Sequence, residues 1–278
     1  MNVIKLMDHP DLNRQEQLMA FIFKLGMLER SQLATLMATT EINIKQLIHN
    51  IRHQEISSEK QEKDKWINSV RGKKRESKRL YKLGPKGLQL AAKALYYTGS
   101  YEELDTAQRE HFRGLNEILV RLIRAIGRQE TIQYAEWYNT KDSFQELIRI
   151  WEWYRQKQWL DDPKLRKEDI RKMARPDALL ILNNQRAWIE FDTGSEDTPQ
   201  LEDKYKRWAY SLVKFNIQDP VVWITTKESR TKKLSSLWEY RKSMLNMKYY
   251  PSMYFFTAGE DTDFFLSMLQ STKNQVSP

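Results

Sequence analysis

The sequence predicts an α/β protein of two domains: an N-terminal helical domain that closes with a β-hairpin, then an α/β domain with a mixed central sheet. Three observations support this fold class. Apolar residues recur at helical spacing in three consecutive N-terminal segments, and short β-like segments then enclose a basic stretch. Farther along, helices and strands alternate around residues 178–182, a run that is apolar on both faces, as in a strand covered by helices on two sides.

Composition limits the classes of function. The 278 residues are 40% hydrophobic, which is enough for packed cores in two domains. Cysteine is absent, which excludes disulfides, thiol nucleophiles and cysteine-ligated metals. No apolar stretch has the length of a signal peptide or a membrane span. We therefore expect a cytoplasmic protein with no membrane partner.

The net charge of +9 is concentrated near the N-terminus. Residues 1–100 contain 18 Lys and Arg against 10 Asp and Glu, whereas the remainder contains 28 against 27. The segment 71–86 has eight basic residues and one acid, a density that favours a polyanion such as nucleic acid. A solvated basic loop is the alternative, so the neighbouring elements decide between the two.

The first three predicted helices have the order of a helix-turn-helix. A helix at 13–27 and a short one capped by Ser31 precede a third that follows the polar break at 39–41. Their inward positions are Leu18, Phe21, Ile22, Leu25, Leu33, Leu36, Met37, Ile44, Leu47, Ile48 and Ile51. The outer face of the third helix offers groups that can reach bases and phosphates: Lys45, Gln46, His49, Asn50, Arg52 and His53.

The hairpin that follows indicates a winged helix at 1–97. Its β-like segments, 66–70 and 80–83, enclose the basic tip, and Gly84–Pro85 starts a helix that runs to about Tyr96. The hairpin would contact DNA through Arg71, Lys73, Lys74, Arg75, Lys78 and Arg79. A winged helix used for protein contacts is the alternative. His49 and His53 lack further ligands for a metal, and we interpret them as surface residues.

The second domain is predicted at 105–278, after a linker at 98–104 that contains Thr98–Gly99–Ser100. The expected elements are a helix at 105–127, a strand at 131–138, a helix at 142–160, strands at 177–182 and 186–193, a helix at 198–214, a strand at 220–225, a helix at 228–245 and a strand at 250–256. The polar turn at 183–185 predicts that the strands on either side of it form an antiparallel hairpin.

Two acids interrupt the second strand of this hairpin. Because side chains alternate across a sheet, Glu190 and Asp192 share one face, and the hairpin brings Asp177 close to them. Three partly buried carboxylates repel each other unless a cation intervenes, and Mg²⁺ or Mn²⁺ is the simplest one. The alternative is that Glu190 and Asp192 form structural salt bridges with nearby arginines such as Arg175 or Arg186.

Asp177, Glu190 and Asp192 on neighbouring strands resemble the site of the PD-(D/E)xK restriction-endonuclease-like superfamily. More narrowly, residues 81–87 (YKLGPKG), a helix with His111 and Asn116, residues 175–177 (RPD) and residues 190–196 (EFDTGSE) resemble the replication-relaxation family over roughly residues 13–225. The resemblance implies a restriction-endonuclease-like core, a role in plasmid or mobile-element replication or relaxation, and double-stranded DNA, such as a plasmid origin, as the partner.

One position departs from the endonuclease pattern, because Asp192 stands where the pattern has lysine. Lys204, between the inward positions Leu201 and Trp208, is a candidate to supply the ammonium instead. We therefore expect Asp177, Glu190 and Asp192 to bind the metal of a DNA endonuclease or nickase, and Lys204 to stabilise the phosphate or the attacking water. The alternative is a non-catalytic replication accessory or transcriptional regulator with a degenerate nuclease fold. Glu117 is a further acid, expected to be exposed.

Other schemes fit less well. The sequence has no His-x-His pair to hold a metal for a tyrosine nucleophile and no glycine-rich P-loop, so we expect no nucleotide cofactor. Trp151, Trp153 and Trp159 are interpreted as a core or partner surface, with stacking on unpaired bases as the alternative. A homodimer is compatible with this interpretation.

Overall fold

The computed structural model describes residues 1–56, 65–72, 78–157, 163–244 and 250–270. The chain forms two compact units, Asn2–Gln133 and the part from Tyr134 onward. The first unit contains a small antiparallel sheet and the second a five-stranded mixed sheet, which confirms the predicted α/β class.

The N-terminal unit has the elements on which the winged-helix prediction is based. Short 3-10 helices at Ile4–Asp8 and Thr106–Gln108 accompany α1 (Arg14–Leu25), β1 (Leu28–Glu29), α2 (Arg30–Leu36), α3 (Glu41–Ile56), β2 (Ile67–Val70), β3 (Leu80–Leu83), α4 (Pro85–Ala94), α5 (Arg109–Ile126) and α6 (Arg128–Tyr134). The strand order is β1-β3-β2, with both pairs antiparallel. Of the predicted inward residues, all but the half-buried Leu47 are buried.

The helix starts show one difference from the prediction. Asn13 caps α1 as part of a capping box with Glu16, in agreement with the expected start of that helix. The N-cap of α2 is Glu29 rather than Ser31, and the side chain of Gln32 accepts the backbone N–H of Glu29 at 3.1 Å. The two-residue strand β1 therefore leads directly into α2.

The YKLGPKG motif places two glycines where backbone segments nearly touch. A Cβ atom on Gly84 would lie 2.3 Å from the carbonyl oxygen of Lys65, and one on Gly87 would lie 2.0 Å from that of Trp66. Both distances are far below van der Waals contact, so any larger residue would push α4 away from the start of β2. The motif is thus explained by close packing.

The division between the two units lies later in the chain than the linker predicted at 98–104. Helix α5 packs within the N-terminal unit, where the side-chain amide of Asn116 donates to the carbonyl oxygens of Leu25 and Met27, both at 2.9 Å. Gln32 also donates to the carbonyl oxygen of Arg113 at 2.9 Å. These contacts join residues more than 80 positions apart, and local sequence patterns do not reveal them.

The C-terminal unit follows the predicted order of elements, with additions. It comprises β4 (Ala135–Asn139), α7 (Thr140–Lys157), α8 (Pro163–Lys172), β5 (Ala178–Leu182), β6 (Gln185–Asp192), α9 (Thr198–Lys214), β7 (Val221–Thr225), α10 (Glu228–Met244), β8 (Met253–Thr257) and α11 (Asp261–Gln270). Helices α8 and α11 were not predicted. Helix α6 also occupies the first residues of the strand expected from 131.

The sheet has the order β4-β5-β6-β7-β8. Strands β4, β5 and β6 are antiparallel neighbours, whereas β6, β7 and β8 run parallel. The β5–β6 hairpin turns through Asn183 and Asn184, which both have positive φ, in agreement with the predicted tight turn. Its register pairs Ala178 with Ile189 and thereby sets Asp177 beside Glu190.

Tryptophans fill the core on one side of this sheet. Trp188 on β6, Trp223 on β7 and Trp208 on α9 are almost completely buried. Trp151 is buried as well, which agrees with the core interpretation, whereas Trp153 is 56% exposed. Trp159 lies outside the described residues.

Candidate functional site

Glu190 is the centre of the candidate site. It projects from β6 toward α9 and is only 2% exposed. The indole N–H of Trp208 donates to its Oε1 at 2.9 Å, and the ammonium of Lys204 donates to its Oε2 at 3.2 Å. Burying a carboxylate in a tryptophan-rich interior costs free energy even when two donors contact it. Stability of the fold therefore does not explain why Glu190 stands at this position.

Lys204 reaches Glu190 from a helix rather than from the strand. Helix α9 starts at the capping box of Asp197 and Gln200, and Lys204 follows one turn later. Its Nζ lies 2.8 Å from Oε1 of Glu196 and 5.6 Å from the centre of the Trp223 ring. The ammonium is therefore enclosed by two carboxylates and an aromatic face.

Asp177 lies at the adjoining end of β5. Its Oδ2 accepts the backbone N–H of Phe191 at 2.8 Å, and its own backbone N–H donates to the carbonyl oxygen of Ile189 at 3.0 Å. Its charge acts on both Glu190 and Lys204. We call Asp177, Glu190, Glu196 and Lys204 the carboxylate–lysine cluster.

The carboxylate–lysine cluster contains more acidic than basic groups. Burial, together with the charge of Asp177, raises the pKa of Glu190 to about 8, although Lys204 and Trp208 act in the opposite direction. Burial also disfavours the charge of Lys204, yet Glu190, Asp177 and Glu196 outweigh it and raise the pKa of this ammonium. Three carboxylates thus surround one ammonium, and a proton or a further cation would relieve the excess negative charge.

Asp192 does not join this cluster, which differs from the expectation. Its carboxylate makes a bidentate contact with Arg230 of α10, with distances of 2.5 Å to Nε and 3.0 Å to Nη2. The backbone N–H of Gly194 also donates to its Oδ1 at 3.1 Å. A structural salt bridge therefore exists at Asp192, but its partner is neither Arg175 nor Arg186. Arg186 contacts Glu146 at 3.3 Å instead.

Few side chains near the site are able to bind a metal ion. Among the described residues, no group of three or more His, Cys, Asp or Glu side chains is arranged to hold a metal ion. Within the same part of the chain, the buried Oε2 of Glu196 has no hydrogen-bond partner. Glu117 belongs to the N-terminal unit, where it contacts Gln32 and Arg124.

The cluster opens into a cavity of about 520 Å³. Glu190, Glu196 and Lys204 line it, together with Arg175 and Arg207. Arg175 is exposed and its guanidinium lies 5.4 Å from the centre of the Phe144 ring. The cavity thus combines the buried carboxylate of Glu190 and the partly exposed one of Glu196 with cationic groups that can hold an anion.

The chain matches the family model described as "Replication-relaxation" over residues 19–218. This match covers more than half of the sequence and includes the whole carboxylate–lysine cluster. The chain belongs to the replication-relaxation family. Membership associates it with the replication or relaxation of plasmids and mobile elements. No curated protein and no solved structure gave a match.

In this replication-relaxation protein, most of the groups on α3 that were predicted to contact DNA lie on its exposed face. Lys45, Gln46, His49 and His53 are exposed, and the His49 and His53 rings lie 4.3 Å apart between centres. Arg52 is half-buried and donates to the carbonyl oxygen of Ile67 at 3.3 Å. Arg52 therefore connects α3 to β2 of the hairpin.

The hairpin residues predicted to contact DNA are described only in part. Arg71, Lys78 and Arg79 are exposed, and Lys78 lies 3.5 Å from Glu29. Lys73, Lys74 and Arg75 lie outside the described residues. No helix in the described ranges is long and apolar enough to cross a membrane.

Two residues of the candidate site were not predicted from the sequence as functional candidates. Glu196 ends the quoted EFDTGSE motif, and a third acid six residues after Glu190 was the available signal. Arg230 is 38 positions from Asp192 and lies beyond the region that the family model matches. No local sequence pattern indicates that the side chains of Asp192 and Arg230 are in contact.

Proposed function

We propose that this protein binds DNA of a plasmid or mobile element through its N-terminal unit and cleaves a phosphodiester bond with its C-terminal unit, in a reaction that depends on a divalent metal. The observation that carries the proposal is the contact of 3.2 Å between Lys204 and Glu190 beside Asp177. Two neighbouring carboxylates can bind a metal ion, and an adjacent ammonium can stabilise the negative charge on a phosphate under attack.

The donor set fits a hard cation. Asp177 and Glu190 would hold Mg²⁺ or Mn²⁺, since Mg²⁺ is usually bound by one or two carboxylates with water and substrate oxygens completing the shell. Burial and the charge of Asp177 raise the pKa of Glu190, and Oε2 of Glu196 has no hydrogen-bond partner. Both observations support this fit, because a bound cation would stabilise the charged form of Glu190 and reduce the excess of negative charge near Glu196. When bound, the metal would polarise the phosphate and lower the pKa of an attacking water.

Lys204 and Trp208 have separate tasks in this proposal. The ammonium of Lys204 stabilises the negative charge that develops on the phosphate, in a cavity where surrounding protein strengthens the interaction. The indole N–H of Trp208 fixes the orientation of Glu190 by its contact of 2.9 Å. Arg175, exposed at the cavity, is placed to contact the phosphate backbone.

The test is a nicking assay on supercoiled plasmid that carries the origin of the element, with Mg²⁺ or Mn²⁺. We expect wild type to produce open circles, and Glu190→Gln, Asp177→Asn and Lys204→Gln to lose this activity. Asp203→Asn is the matched control, because Asp203 lines the same cavity but pairs with Arg207 rather than with Lys204. Equal nicking by wild type and Glu190→Gln would exclude the cluster as the catalytic site.

A second candidate function is a DNA-binding replication accessory or transcriptional regulator without catalysis. The capture of Asp192 by Arg230, and the lack of a three-ligand metal group among the described residues, favour this candidate. It predicts that wild type leaves the plasmid intact under every metal condition while still binding it. The same assay, run with a gel-shift measurement on the same DNA, separates the two functions.

DNA binding is assigned to the exposed face of α3 and to the hairpin. Lys45 supplies a cation for phosphates, and Gln46 and Asn50, hydrogen-bonded to each other at 2.9 Å, supply amides that can read base edges. The excess of basic residues in this half of the chain supports the assignment.

A further inference from the structure

The ion pair of Asp192 and Arg230 extends into the turn that follows β6. Nη2 of Arg230 donates to the carbonyl oxygen of Glu196 at 2.8 Å while it also contacts Asp192. The N–H of Gly194 donates to Asp192 from within the same turn. Both members of the pair are buried, with 1% of the Asp192 side chain and 10% of the Arg230 side chain exposed. The turn is thus fixed at two points by one buried ion pair.

This turn places the carboxylate of Glu196 in contact with the ammonium of Lys204. The distance from Nζ of Lys204 to Oε1 of Glu196 is 2.8 Å, shorter than the 3.2 Å to Oε2 of Glu190. The aromatic ring of Trp223 lies on another side of the ammonium. Glu196 therefore holds Lys204 more closely than Glu190 does.

We propose that Asp192, Arg230 and Glu196 form a positioning brace that holds the ammonium of Lys204 against Glu190. A lysine at position 192 would have its direction set by the strand itself, whereas Lys204 extends from a helix on a flexible stem and needs a second anchor. With the ammonium supplied by α9, residue 192 is available to bind Arg230. The brace rests on the proposed function, in which Lys204 is the lysine of the cleavage site.

The brace makes a prediction that does not depend on catalysis. An ammonium held in salt bridges exchanges its protons slowly with water, and such groups give cross-peaks in proton–nitrogen spectra selective for lysine side chains. We expect a cross-peak for Lys204 in the wild-type protein, assigned by its absence from Lys204→Gln. Glu196→Gln should remove or broaden this peak, and Arg230→Lys should do the same, because a lysine cannot span Asp192 and the Glu196 carbonyl together.

Asp203→Asn is the control for these spectra. It removes one negative charge next to Lys204 in the sequence, from a side chain that is 60% exposed and paired with Arg207, and the Lys204 peak should persist. Glu196→Gln keeps the size of a side chain that is 28% exposed, so it should fold even where Arg230→Lys does not. An unchanged Lys204 peak in Glu196→Gln, or no peak in wild type, would overturn the brace.

Nicking rates then separate the brace from the proposed function. At saturating DNA, Glu196→Gln should cut roughly tenfold or more slowly than wild type with unchanged DNA affinity, since a small displacement of a catalytic group is costly. If the spectra behave as expected but wild type does not cut, the brace stands and the nuclease proposal fails. If wild type and Glu196→Gln cut equally fast, the nuclease proposal stands and the brace fails.

Discussion

Replacing Glu190 by glutamine should stabilise the C-terminal unit while it abolishes any activity of the cluster. The cause is the burial of the carboxylate, which with the charge of Asp177 raises its pKa to about 8. Between about pH 4.5 and 8 the folded protein must either take up a proton at Glu190 or tolerate a buried charge, and both outcomes reduce the free energy of unfolding. Glutamine has nearly the same shape and no charge.

The size of the effect follows from the pKa difference. At pH 7, an increase of the pKa from the ordinary 4.5 to about 8 costs roughly 3 kcal/mol, at about 1.4 kcal/mol for each pH unit above the ordinary value. The pKa of about 8 already includes the attraction between Glu190 and Lys204. The glutamine amide has one acceptor oxygen where the carboxylate offers one each to Lys204 and Trp208, so we expect a net gain of about 2 kcal/mol. For a unit of this size, that gain corresponds to a rise in Tm of about 5 °C.

The assay is thermal unfolding of metal-free protein, in EDTA, at pH 5 and pH 7. A raised pKa in the folded state means that Glu190 destabilises the protein least below about pH 4.5 and costs more as pH rises toward 8. The advantage of Glu190→Gln should therefore be larger at pH 7 than at pH 5. A variant that is no more stable than wild type at pH 7, or whose advantage is equal at both values, would refute the reasoning.

Asp169→Asn provides a control of opposite sign. Burial disfavours the charge of Asp169, but hydrogen bonds from Lys214, Tyr210 and Trp151 outweigh it and lower the pKa of this carboxyl. Its stabilising contribution is therefore present above its unfolded-state pKa of about 3.9 and is lost as pH falls below that value. Asp169→Asn should lower Tm at pH 7, and the loss should shrink at pH 3.

Three other variants test the remaining arguments. Asp192→Lys, which restores the usual nuclease pattern, should reduce the free energy of unfolding by about 4 kcal/mol, because it sets a second cation against the buried guanidinium of Arg230; denaturant unfolding measures this loss. Gly87→Ala should lower the free energy of unfolding of the N-terminal unit by about 3 kcal/mol, because the added Cβ would lie 2.0 Å from a carbonyl oxygen. Thermal unfolding measures this loss. The double variant Arg71→Ala with Arg79→Ala should weaken DNA binding and reduce the slope of log K against log salt by about two, one for each lost phosphate contact.

Two of these variants have a control variant, and the third has an outcome that would contradict it. Lys86→Ala, at an exposed position of the same helix, should leave the stability that Gly87→Ala reduces unchanged. Lys5→Ala removes an exposed cation of the N-terminal unit away from α3 and the hairpin, and should leave the salt slope unchanged. Wild-type stability in Asp192→Lys would show that Arg230 is not committed to this carboxylate.

Much of the fold follows from local rules that the sequence expresses directly. Helical spacing predicted α1, α3 and α9, and the two asparagines at 183 and 184 predicted the β5–β6 hairpin. Strand alternation set Glu190 and Asp192 on one face, and the hairpin register set Asp177 beside Glu190. These relations involve residues that are neighbours in the chain or joined by one short turn, so periodicity is enough to determine them.

The roles of the acids depended on contacts that only the tertiary structure creates. Glu190 and Asp192 share a strand face, yet Lys204 of α9 meets the first and Arg230 of α10 captures the second. Likewise, Asn116 ties α5 to the N-terminal unit through carbonyl groups about 90 positions away. Alternation fixes the direction of a side chain, but its partner depends on how helices pack across parallel strands, and that packing is set by the whole buried core.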